Sequence, residues 1–298
     1  MKILLLGKNG QVGWELQRSL QPIGDIIALN ANSPEYCGDL TNLAGLADTI
    51  QKVQPDVIVN SAAYTAVDKA QAEPELAKSV NALAPGVLAK EAFNINALLI
   101  HYSTDYVFDG KGQEPWTETD IAAPLNVYGE TKLLGEQLIQ NSGCQHIILR
   151  TSWVYGTRGK NFIKTMMQLA KERDSLSVID DQSGAPTGAD LIADITAHII
   201  PMAKSRAELS GLYHLVSAGE TSWYRYACFV LDFVQKSGVS LKVAVDSIKA
   251  VPTDAFPTPA KRPYNSRLNT EKVQKTFSLN LPIWQTGVQR ALTEILDK

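Results

Sequence analysis

The amino-acid sequence predicts an α/β fold in which a doubly wound parallel sheet is followed by a smaller mixed α/β domain. Short apolar runs alternate with longer amphipathic stretches through the first half of the chain, which is the pattern of βαβ units. A glycine-rich turn joins the first apolar run to the first amphipathic stretch. Because the pattern becomes less regular afterwards, we divide the chain into domains of residues 1–150 and 151–298.

The first half alternates strands and helices in the order that a parallel sheet requires. Val12, Leu16 and Leu20 recur at i, i+4 and i+8, so one face of the first helix is apolar. The predicted strands are 3–6, 25–29, 56–59, 97–102 and 146–149. Further helices are predicted at 43–53, at 74–94 with an interruption near Pro85, and at 128–140. This order implies right-handed crossovers.

Residues 151–298 mix the two kinds of element and are expected to bind mainly the substrate. Strands are predicted at 176–179, 212–215 and 241–245, and helices at 161–173, 190–204 and 223–237. A proline-rich piece over residues 251–263 predicts an extended loop. Later segments of this region are expected to return to the first domain.

The composition excludes several classes of protein. The 298 residues carry 28 basic and 31 acidic side chains, a net charge of −3, and 45% of them are hydrophobic. These values argue against disorder, and the lack of a basic run argues against a nucleic-acid partner. No apolar run reaches the ~18 residues of a membrane span. Three scattered cysteines (Cys37, Cys144 and Cys228) suit a reducing compartment, so a cytoplasmic location is expected.

The glycines of residues 7–13 (GKNGQVG) predict a phosphate-binding turn. Gly7, Gly10 and Gly13 lie between the first strand and the first helix. Glycines let the backbone approach a pyrophosphate, and the N–H groups of the helix N-terminus favour its charge. Because the turn follows a strand and opens a helix, it indicates a Rossmann NAD(P)-binding domain rather than a purely structural turn. The glycine spacing resembles the extended branch of the short-chain dehydrogenase/reductase superfamily.

The end of the second strand is expected to set the cofactor preference. An acidic residue at this position would hold a ribose 2′-hydroxyl and repel a 2′-phosphate. Asn30 stands there instead. With no carboxylate to exclude the phosphate and no arginine to require it, we predict that both NADH and NADPH are used. Asp39 and Leu40 resemble the pair that lies against the adenine in such domains.

Tyr128 and Lys132 form the predicted catalytic pair. Residues four apart share one face of a helix, and a neighbouring ammonium would lower the pKa of a phenol. Thr104 ends a preceding strand at the edge of the sheet where ligands bind. Its hydroxyl is expected to bond both a substrate oxygen and Tyr128, which completes a proton-delivery site. These three residues resemble the short-chain reductase triad, with Thr in place of the commoner Ser.

Six longer blocks narrow the resemblance to one family. They are residues 60–70 (NSAAYTAVDKA), 103–110 (STDYVFDG), 124–132 (PLNVYGETK), 150–156 (RTSWVYG), 184–187 (GAPT) and 262–266 (RPYNS). These blocks are similar to those of the dTDP-4-dehydrorhamnose reductase family. The resemblance implies NAD(P)H-dependent reduction of the 4-keto group of dTDP-4-dehydro-L-rhamnose to dTDP-L-rhamnose. It also implies a part in carbohydrate biosynthesis, including that of the lipopolysaccharide O-antigen.

The resemblance assigns roles to individual residues. Tyr128 is implied to be the proton donor, Lys132 its partner, and Thr104 the residue that tunes its acidity. Thr104, Asp105 and Trp153 are implied to touch the sugar nucleotide, although burial in the core is the alternative for Trp153. Beyond Gly7 and Gly13, the implied cofactor contacts are Gly10, Gln11, Val12, Asn30, Asp39, Leu40, Ala63, Tyr64, Thr65, Tyr102, Tyr128 and Lys132.

A magnesium ion and a homodimer are implied by the resemblance alone. Family members are commonly associated with Mg²⁺ and with acidic residues at a dimer interface, and the matching positions are Glu15, Asp190 and Glu294. No local spacing supports a metal, and reduction of a ketone needs none once Tyr128 supplies the proton. The four histidines share no ligand spacing, and His101, inside a strand, is interpreted as structural.

Other functions remain as alternatives. Dehydratases of the superfamily follow the threonine with an Asp-Glu pair, whereas here Tyr106 follows Asp105, which disfavours dehydration. Another sugar-nucleotide reductase or an epimerase would use a similar site. A non-catalytic NAD(P)-binding regulatory subunit is the alternative from a different class, although the intact triad favours catalysis.

Overall fold

The computed structural model describes residues 1–297, and its strands range from two to seven residues. In chain order the strands are β1 (Lys2–Leu6), β2 (Asp25–Leu29), β3 (Val57–Asn60), β4 (Leu98–Thr104), β5 (His146–Thr151), β6 (Val154–Tyr155), β7 (Ser177–Ile179), β8 (Ser183–Gly184), β9 (Thr187–Gly188), β10 (Gly211–His214), β11 (Thr221–Ser222) and β12 (Lys249–Val251).

The helices are longer and cover both faces of the main sheet. In chain order the α-helices are α1 (Gln11–Leu20), α2 (Leu43–Val53), α3 (Val67–Ala70), α4 (Pro74–Lys78), α5 (Ala84–Asn94), α6 (Val127–Gln140), α7 (Phe162–Glu172), α8 (Ala189–Ser205), α9 (Trp223–Lys236), α10 (Glu271–Phe277) and α11 (Trp284–Leu296). A π-helical turn (Ser79–Leu83) joins α4 to α5, and short 3₁₀ turns lie at Gln21–Ile23, Asp105–Val107, Ala207–Leu209, Val245–Ser247 and Thr253–Ala255.

The central sheet has six parallel strands in the order β10-β5-β4-β3-β1-β2. Its strands are almost continuously apolar because helices cover both faces. Alternate side chains point to opposite faces, so Ile3 and Leu5 pack against α1 and α8, whereas Leu4 and Leu6 pack on the side of α2, α5 and α6. The predicted doubly wound parallel sheet is confirmed.

Strand order fixes where a ligand binds. From β1 the chain moves to β2 on one side, and β3 then lies on the other side of β1. At such a reversal, neighbouring crossovers leave the sheet on opposite faces, and a crevice opens at the carboxyl ends of the strands. The glycine turn follows β1 at this point. Thr104 ends β4 at the same edge of the sheet.

The second half of the chain builds its own core and also rejoins the sheet. Helices α7, α9 and α11 enclose a second apolar cluster, with β7 and β12 paired in parallel beside it. Strand β10, in contrast, pairs with β5, and α8 packs against α1. The sheet therefore contains residues from both halves, while the division near residue 150 stays a prediction. Within the described part of the chain, no helix has the length and apolarity needed to cross a bilayer.

Three local predictions were wrong or incomplete. Residues 241–245 do not form a strand, because the backbone N–H groups of Lys242 and Val243 instead donate to the Ala170 carbonyl near the end of α7. The predicted interruption of residues 74–94 is the π-helical turn, and Pro85 directly follows it in the first turn of α5. The loop predicted at 251–263 includes the end of β12 and a 3₁₀ turn. Helices α10 and α11 were not predicted.

Candidate active site

The glycine turn between β1 and α1 has almost no room for side chains. Gly7 has a φ of +90°, and a Cβ at this position would lie 2.7 Å from the backbone nitrogen of Ala62. A Cβ on Gly13 would lie 2.1 Å from the carbonyl oxygen of Gly7. Gly10 precedes α1 and brings no side-chain acceptor to its first turn. The N–H groups of that turn can therefore serve an anion.

A crevice of about 270 Å³ opens beside this turn at the carboxyl ends of β1, β2 and β3. Asn30 is the polar side chain where β2 ends, and its amide oxygen accepts a hydrogen bond from the backbone N–H of Asn32 at 2.9 Å. The predicted cofactor residues that line the crevice are Gly7, Gly10, Asn30, Asp39, Leu40, Ala63 and Tyr64. Residues from three separate loops thus meet in one space that suits a dinucleotide.

Other predicted cofactor residues support the crevice from outside its lining. The amide oxygen of Gln11 accepts from the Asn161 amide at 2.9 Å and so joins α1 to the start of α7. Val12 packs against the core of the sheet, and the hydroxyl of Tyr102 pairs with that of Thr196 on α8 at 2.8 Å. Thr65 accepts a backbone hydrogen bond from Val67. The structure does not place these side chains among the residues that line the crevice.

Asn81 is a supporting residue that the sequence did not reveal. It stands in the π-helical turn and is 1% exposed. Its amide oxygen accepts from the backbone N–H of Tyr64 at 2.8 Å, and its amide nitrogen donates to the Tyr64 carbonyl at 3.0 Å. Asn81 therefore fixes the loop that carries Ala63, Tyr64 and Thr65. The sequence signal that could have indicated this role is a polar asparagine among the apolar residues of a helical stretch.

Tyr128 and Thr104 meet at the carboxyl end of β4. Asn126 caps α6 by accepting from the backbone N–H of Gly129 at 2.9 Å, which sets the start of the helix and hence the position of Tyr128. Burial raises the pKa of Tyr128 to about 12, although the neighbouring Thr104 hydroxyl opposes this. The ring of Tyr106 packs edge-on against Tyr128, with 5.7 Å between centroids. Tyr128 therefore holds its proton firmly and faces the predicted threonine.

Lys132 shares the helix face of Tyr128 but has other partners. Its Nζ donates to the Tyr102 carbonyl at 2.6 Å and lies 3.2 Å from Nε2 of His101. Burial lowers the pKa of Lys132 to about 8, and Glu136 opposes this. The predicted lowering of the Tyr128 pKa by the ammonium is not found, because burial dominates at Tyr128 and the amine is directed at His101 and the Tyr102 carbonyl.

The three predicted substrate residues lie along the edge formed by β4 and β5. Burial raises the pKa of Asp105 to about 6, opposed by hydrogen bonds with the hydroxyls of Ser266 and Thr104. Trp153 follows β5, has a φ of +48° and is only partly buried. A left-handed backbone is unusual for such a residue and is common at functional sites. Its ring stacks on Trp223, with centroids 3.6 Å apart and planes 13° apart.

Arg262 brings a positive charge near Tyr106 but is already paired. Its guanidinium contacts the carboxylate of Asp68 at 2.7 Å. The hydrogen bond with Arg262 holds the pKa of Asp68 below its ordinary value. Next to this pair, Leu125, Phe256 and Tyr264 help line a cavity of about 420 Å³. The proline-rich segment is thereby tied across the chain to α3.

The acidic residues that the resemblance assigns to magnesium line one cavity of about 240 Å³, together with two arginines. Arg290 lies 3.7 Å from the Asp190 carboxylate and 3.3 Å from that of Glu294. Arg18 lies 3.6 Å from the carboxylate of Glu15. Within residues 1–297, no group of three or more His, Cys, Asp or Glu side chains is placed to hold a metal ion. This arginine-rich arrangement does not fit a magnesium ion, and we derive no step through one.

The fold and this geometry define a class of protein. A crevice for a dinucleotide lies at the reversal of strand order, and a threonine–tyrosine pair with a buried lysine stands at the neighbouring strand end. This combination is that of a short-chain dehydrogenase/reductase.

Comparisons with known proteins identify the family. A family model described as the RmlD substrate binding domain matches residues 1–296. The dTDP-4-dehydrorhamnose reductase of Shigella flexneri is 57% identical over 295 residues, which cover 99% of this chain and 98% of that protein. The chain therefore belongs to the dTDP-4-dehydrorhamnose reductase family, and the resemblance predicted from the sequence blocks is confirmed.

Solved structures agree with this assignment. The crystal structure of a dTDP-4-dehydrorhamnose reductase from Clostridium acetobutylicum has a TM-score of 0.90 and 34% identity, and the match covers 100% of both chains. The enzyme of the same name from Bacillus anthracis, solved in complex with NADP, has a TM-score of 0.87 and 33% identity. That match covers 98% of this chain and 99% of the other.

Proposed function

We propose that this chain reduces the 4-keto group of dTDP-4-dehydro-L-rhamnose to give dTDP-L-rhamnose. The observation that carries the proposal is the meeting of the Tyr128 phenol and the Thr104 hydroxyl at the edge of the sheet where the cofactor crevice opens. The membership of the family supports the choice of substrate, since the relatives are named for this reaction.

Tyr128, Thr104 and Lys132 have different roles in the proposed reduction. When bound, the nicotinamide supplies the hydride that reduces the keto carbon. Tyr128 gives its phenolic proton to the keto oxygen, and the Thr104 hydroxyl, which donates to the Asp105 carboxylate at 3.1 Å, stands next to the phenolate oxygen that remains. Lys132, in its ammonium form, stands one turn along α6 from Tyr128 and is assigned as its partner. One reduced cofactor and one proton are consumed for each alcohol formed.

Substrate contacts follow from the same geometry. We assign Thr104 and Asp105 to the polar side of the sugar nucleotide, because both are buried where β4 ends. Trp153 covers an apolar face of the sugar, supported by its stack on Trp223. Tyr106 occupies the place at which dehydratases carry a second acid, and its ring packs on Tyr128. This arrangement supports simple reduction over dehydration.

The cofactor is proposed to be NADPH or NADH. Asn30 presents an amide at the end of β2, so a 2′-phosphate meets no carboxylate at that position and a 2′-hydroxyl finds a hydrogen-bonding group. The relative from Bacillus anthracis was crystallised with NADP. Comparing the kcat/KM values for the two reduced cofactors tests this assignment, and a complete failure of either cofactor would contradict it.

The test of the reaction uses the purified chain alone. We expect oxidation of NADPH when dTDP-4-dehydro-L-rhamnose is added, with dTDP-L-rhamnose identified by mass spectrometry. A matched UDP-sugar serves as the control for nucleotide specificity. No turnover, together with co-purification of a partner enzyme, would overturn the proposal in favour of a non-catalytic regulatory subunit.

A cytoplasmic homodimer stays a prediction. The cysteines Cys37, Cys144 and Cys228 are free thiols in the structure, which suits a reducing compartment. Light scattering of the purified chain gives the mass in solution and tests the dimer. A monomer at micromolar concentration would contradict it.

A further inference from the structure

A row of three buried polar side chains runs beneath the catalytic face of α6. The amide nitrogen of Asn60 lies 3.1 Å from Nδ1 of His101, and Nε2 of the same ring lies 3.2 Å from Nζ of Lys132. All three residues are 1% exposed. A polar row buried to this degree is costly unless each member has a partner. The reaction proposed above leaves Asn60 and His101 without a role.

The sheet brings these residues together from distant parts of the sequence. Asn60 and His101 are directly paired in register on the neighbouring parallel strands β3 and β4. Side-chain alternation along β4 places His101 and Ser103 on the face that α6 covers, where Lys132 and Glu136 are one helical turn apart. Each member of the row is therefore held by a regular element rather than by a loop.

Hydrogen-bond roles along the row follow from one fixed donor. The backbone N–H of Ala62 donates to the amide oxygen of Asn60 at 3.2 Å, so the amide nitrogen faces the ring of His101. Nδ1 then accepts, and a neutral imidazole carries its single proton on Nε2. That proton points at Nζ of Lys132, which already donates to the Tyr102 carbonyl at 2.6 Å.

This arrangement discriminates between the two protonation states of the lysine. A neutral amine has a lone pair that accepts from Nε2–H of His101, whereas an ammonium has only donors and opposes it. Burial also keeps His101 uncharged, since it holds the pKa of this imidazole well below its ordinary value, with the charge of Lys132 acting in the same direction. The ring therefore stays a neutral imidazole with its single proton on Nε2.

We propose that His101, braced by Asn60, is a positioning residue that fixes the Lys132 amine beneath the catalytic face of α6 and stabilises its uncharged form. The charged and titratable groups around the amine are few. Glu136 favours the ammonium from one turn along α6, but its carboxylate is bound by Arg150 of β5 at 2.6 Å. His101 is then the neighbour that determines how readily Lys132 charges.

The inference rests on the proposed reduction, and its test separates the two. His101→Gln can turn a carbonyl oxygen towards an ammonium, so we expect the basic limb of the kcat/KM profile to move up by about one pH unit. His101→Phe keeps the ring shape without nitrogens, and we expect the KM for NADPH to rise about tenfold because the amine is no longer fixed. His146→Gln, on β5 outside the row, is the matched control and should behave as the wild type.

A second measurement does not depend on turnover. Nuclear magnetic resonance of protein carrying ¹³C-labelled lysine reports the Lys132 titration directly, and we expect the same upward shift of its pKa in His101→Gln. Thermal unfolding confirms that each variant is folded. If the Lys132 titration of His101→Gln coincides with that of the wild type, the inference is overturned. If the wild type titrates as expected but reduces nothing, the proposed function fails and the role of His101 in placing the amine stands.

Discussion

The cofactor side and the substrate side of the site are built in different ways. On the cofactor side, the contacts are between backbone atoms of the glycine turn. A Cβ on Gly13 would lie 2.1 Å from the Gly7 carbonyl oxygen. On the substrate side, the contacts are between side chains, as in the stack of Trp153 on Trp223. Backbone contacts leave no freedom to adjust, whereas aromatic rings can shift. We therefore expect substitutions on the cofactor side to be more damaging.

Tyr128 stands where the two sides join, and its loss should have the largest effect. Tyr128→Phe removes the proton that the keto oxygen receives, so we expect kcat to fall by about 10²–10⁴-fold. NADPH affinity, measured by calorimetry, should stay within about twofold, because only one hydroxyl is lost. The control is Tyr213→Phe, on β10, which removes a hydroxyl that donates to the Leu209 carbonyl. A Tyr128→Phe enzyme with near-normal kcat would refute the assignment of the donor.

Gly13→Ala tests the rigidity of the cofactor side. The new Cβ must displace the Gly7 carbonyl, so we expect the free energy of unfolding to fall by about 1–3 kcal/mol. NADPH affinity should fall at least tenfold, since the turn holds the first N–H groups of α1. At Gly156 a Cβ would meet its nearest atom at an ordinary 3.5 Å, and Gly156→Ala should be nearly neutral. Equal effects of the two substitutions would contradict the comparison.

The pH dependence tests the buried lysine between the two sides. We propose that the active form of Lys132 is the ammonium, and burial lowers its pKa from 10.5 to about 8. We therefore expect kcat/KM to decline by about tenfold per unit once the pH exceeds about 8. Thermal unfolding measured at the same pH values separates loss of charge from loss of structure. A rate that stays constant to pH 10 would show that the Lys132 charge is not required.

Trp223→Leu should have the smallest effect, on the substrate side alone. Loss of the stack frees Trp153, and an aromatic pair is worth about 0.5–1.5 kcal/mol, so the KM for the sugar nucleotide should rise about 2–10-fold. The KM for NADPH should not change. Phe229→Leu removes an aromatic contact with Trp284 in the same core and serves as the control. An effect on NADPH as large as that on the sugar would erase the distinction between the two sides.

The sequence predicted local features well. Glycine spacing, helix periodicity and the pair Tyr128–Lys132 all depend on residues close in the chain, and the structure places them in the predicted strand, turn and helix. Predictions failed where contacts with residues distant in the sequence determine the local conformation or the hydrogen-bond partner. The segment 241–245 is apolar enough for a strand, but its N–H groups meet the Ala170 carbonyl. Lys132 is directed by His101 on β4, which no pattern around residue 132 shows.

By itself, the sequence determined the class of fold and the glycine turn and predicted the reacting groups, because periodicity and residue chemistry depend on neighbouring positions. Tertiary structure alone decided the surroundings of those groups. Burial raises the pKa of Tyr128 and lowers that of Lys132, and the register of β3 with β4 brings Asn60 and His101 to the amine. Desolvation and cross-strand contact arise only when distant segments pack, which is why the sequence could name the lysine but not its partner.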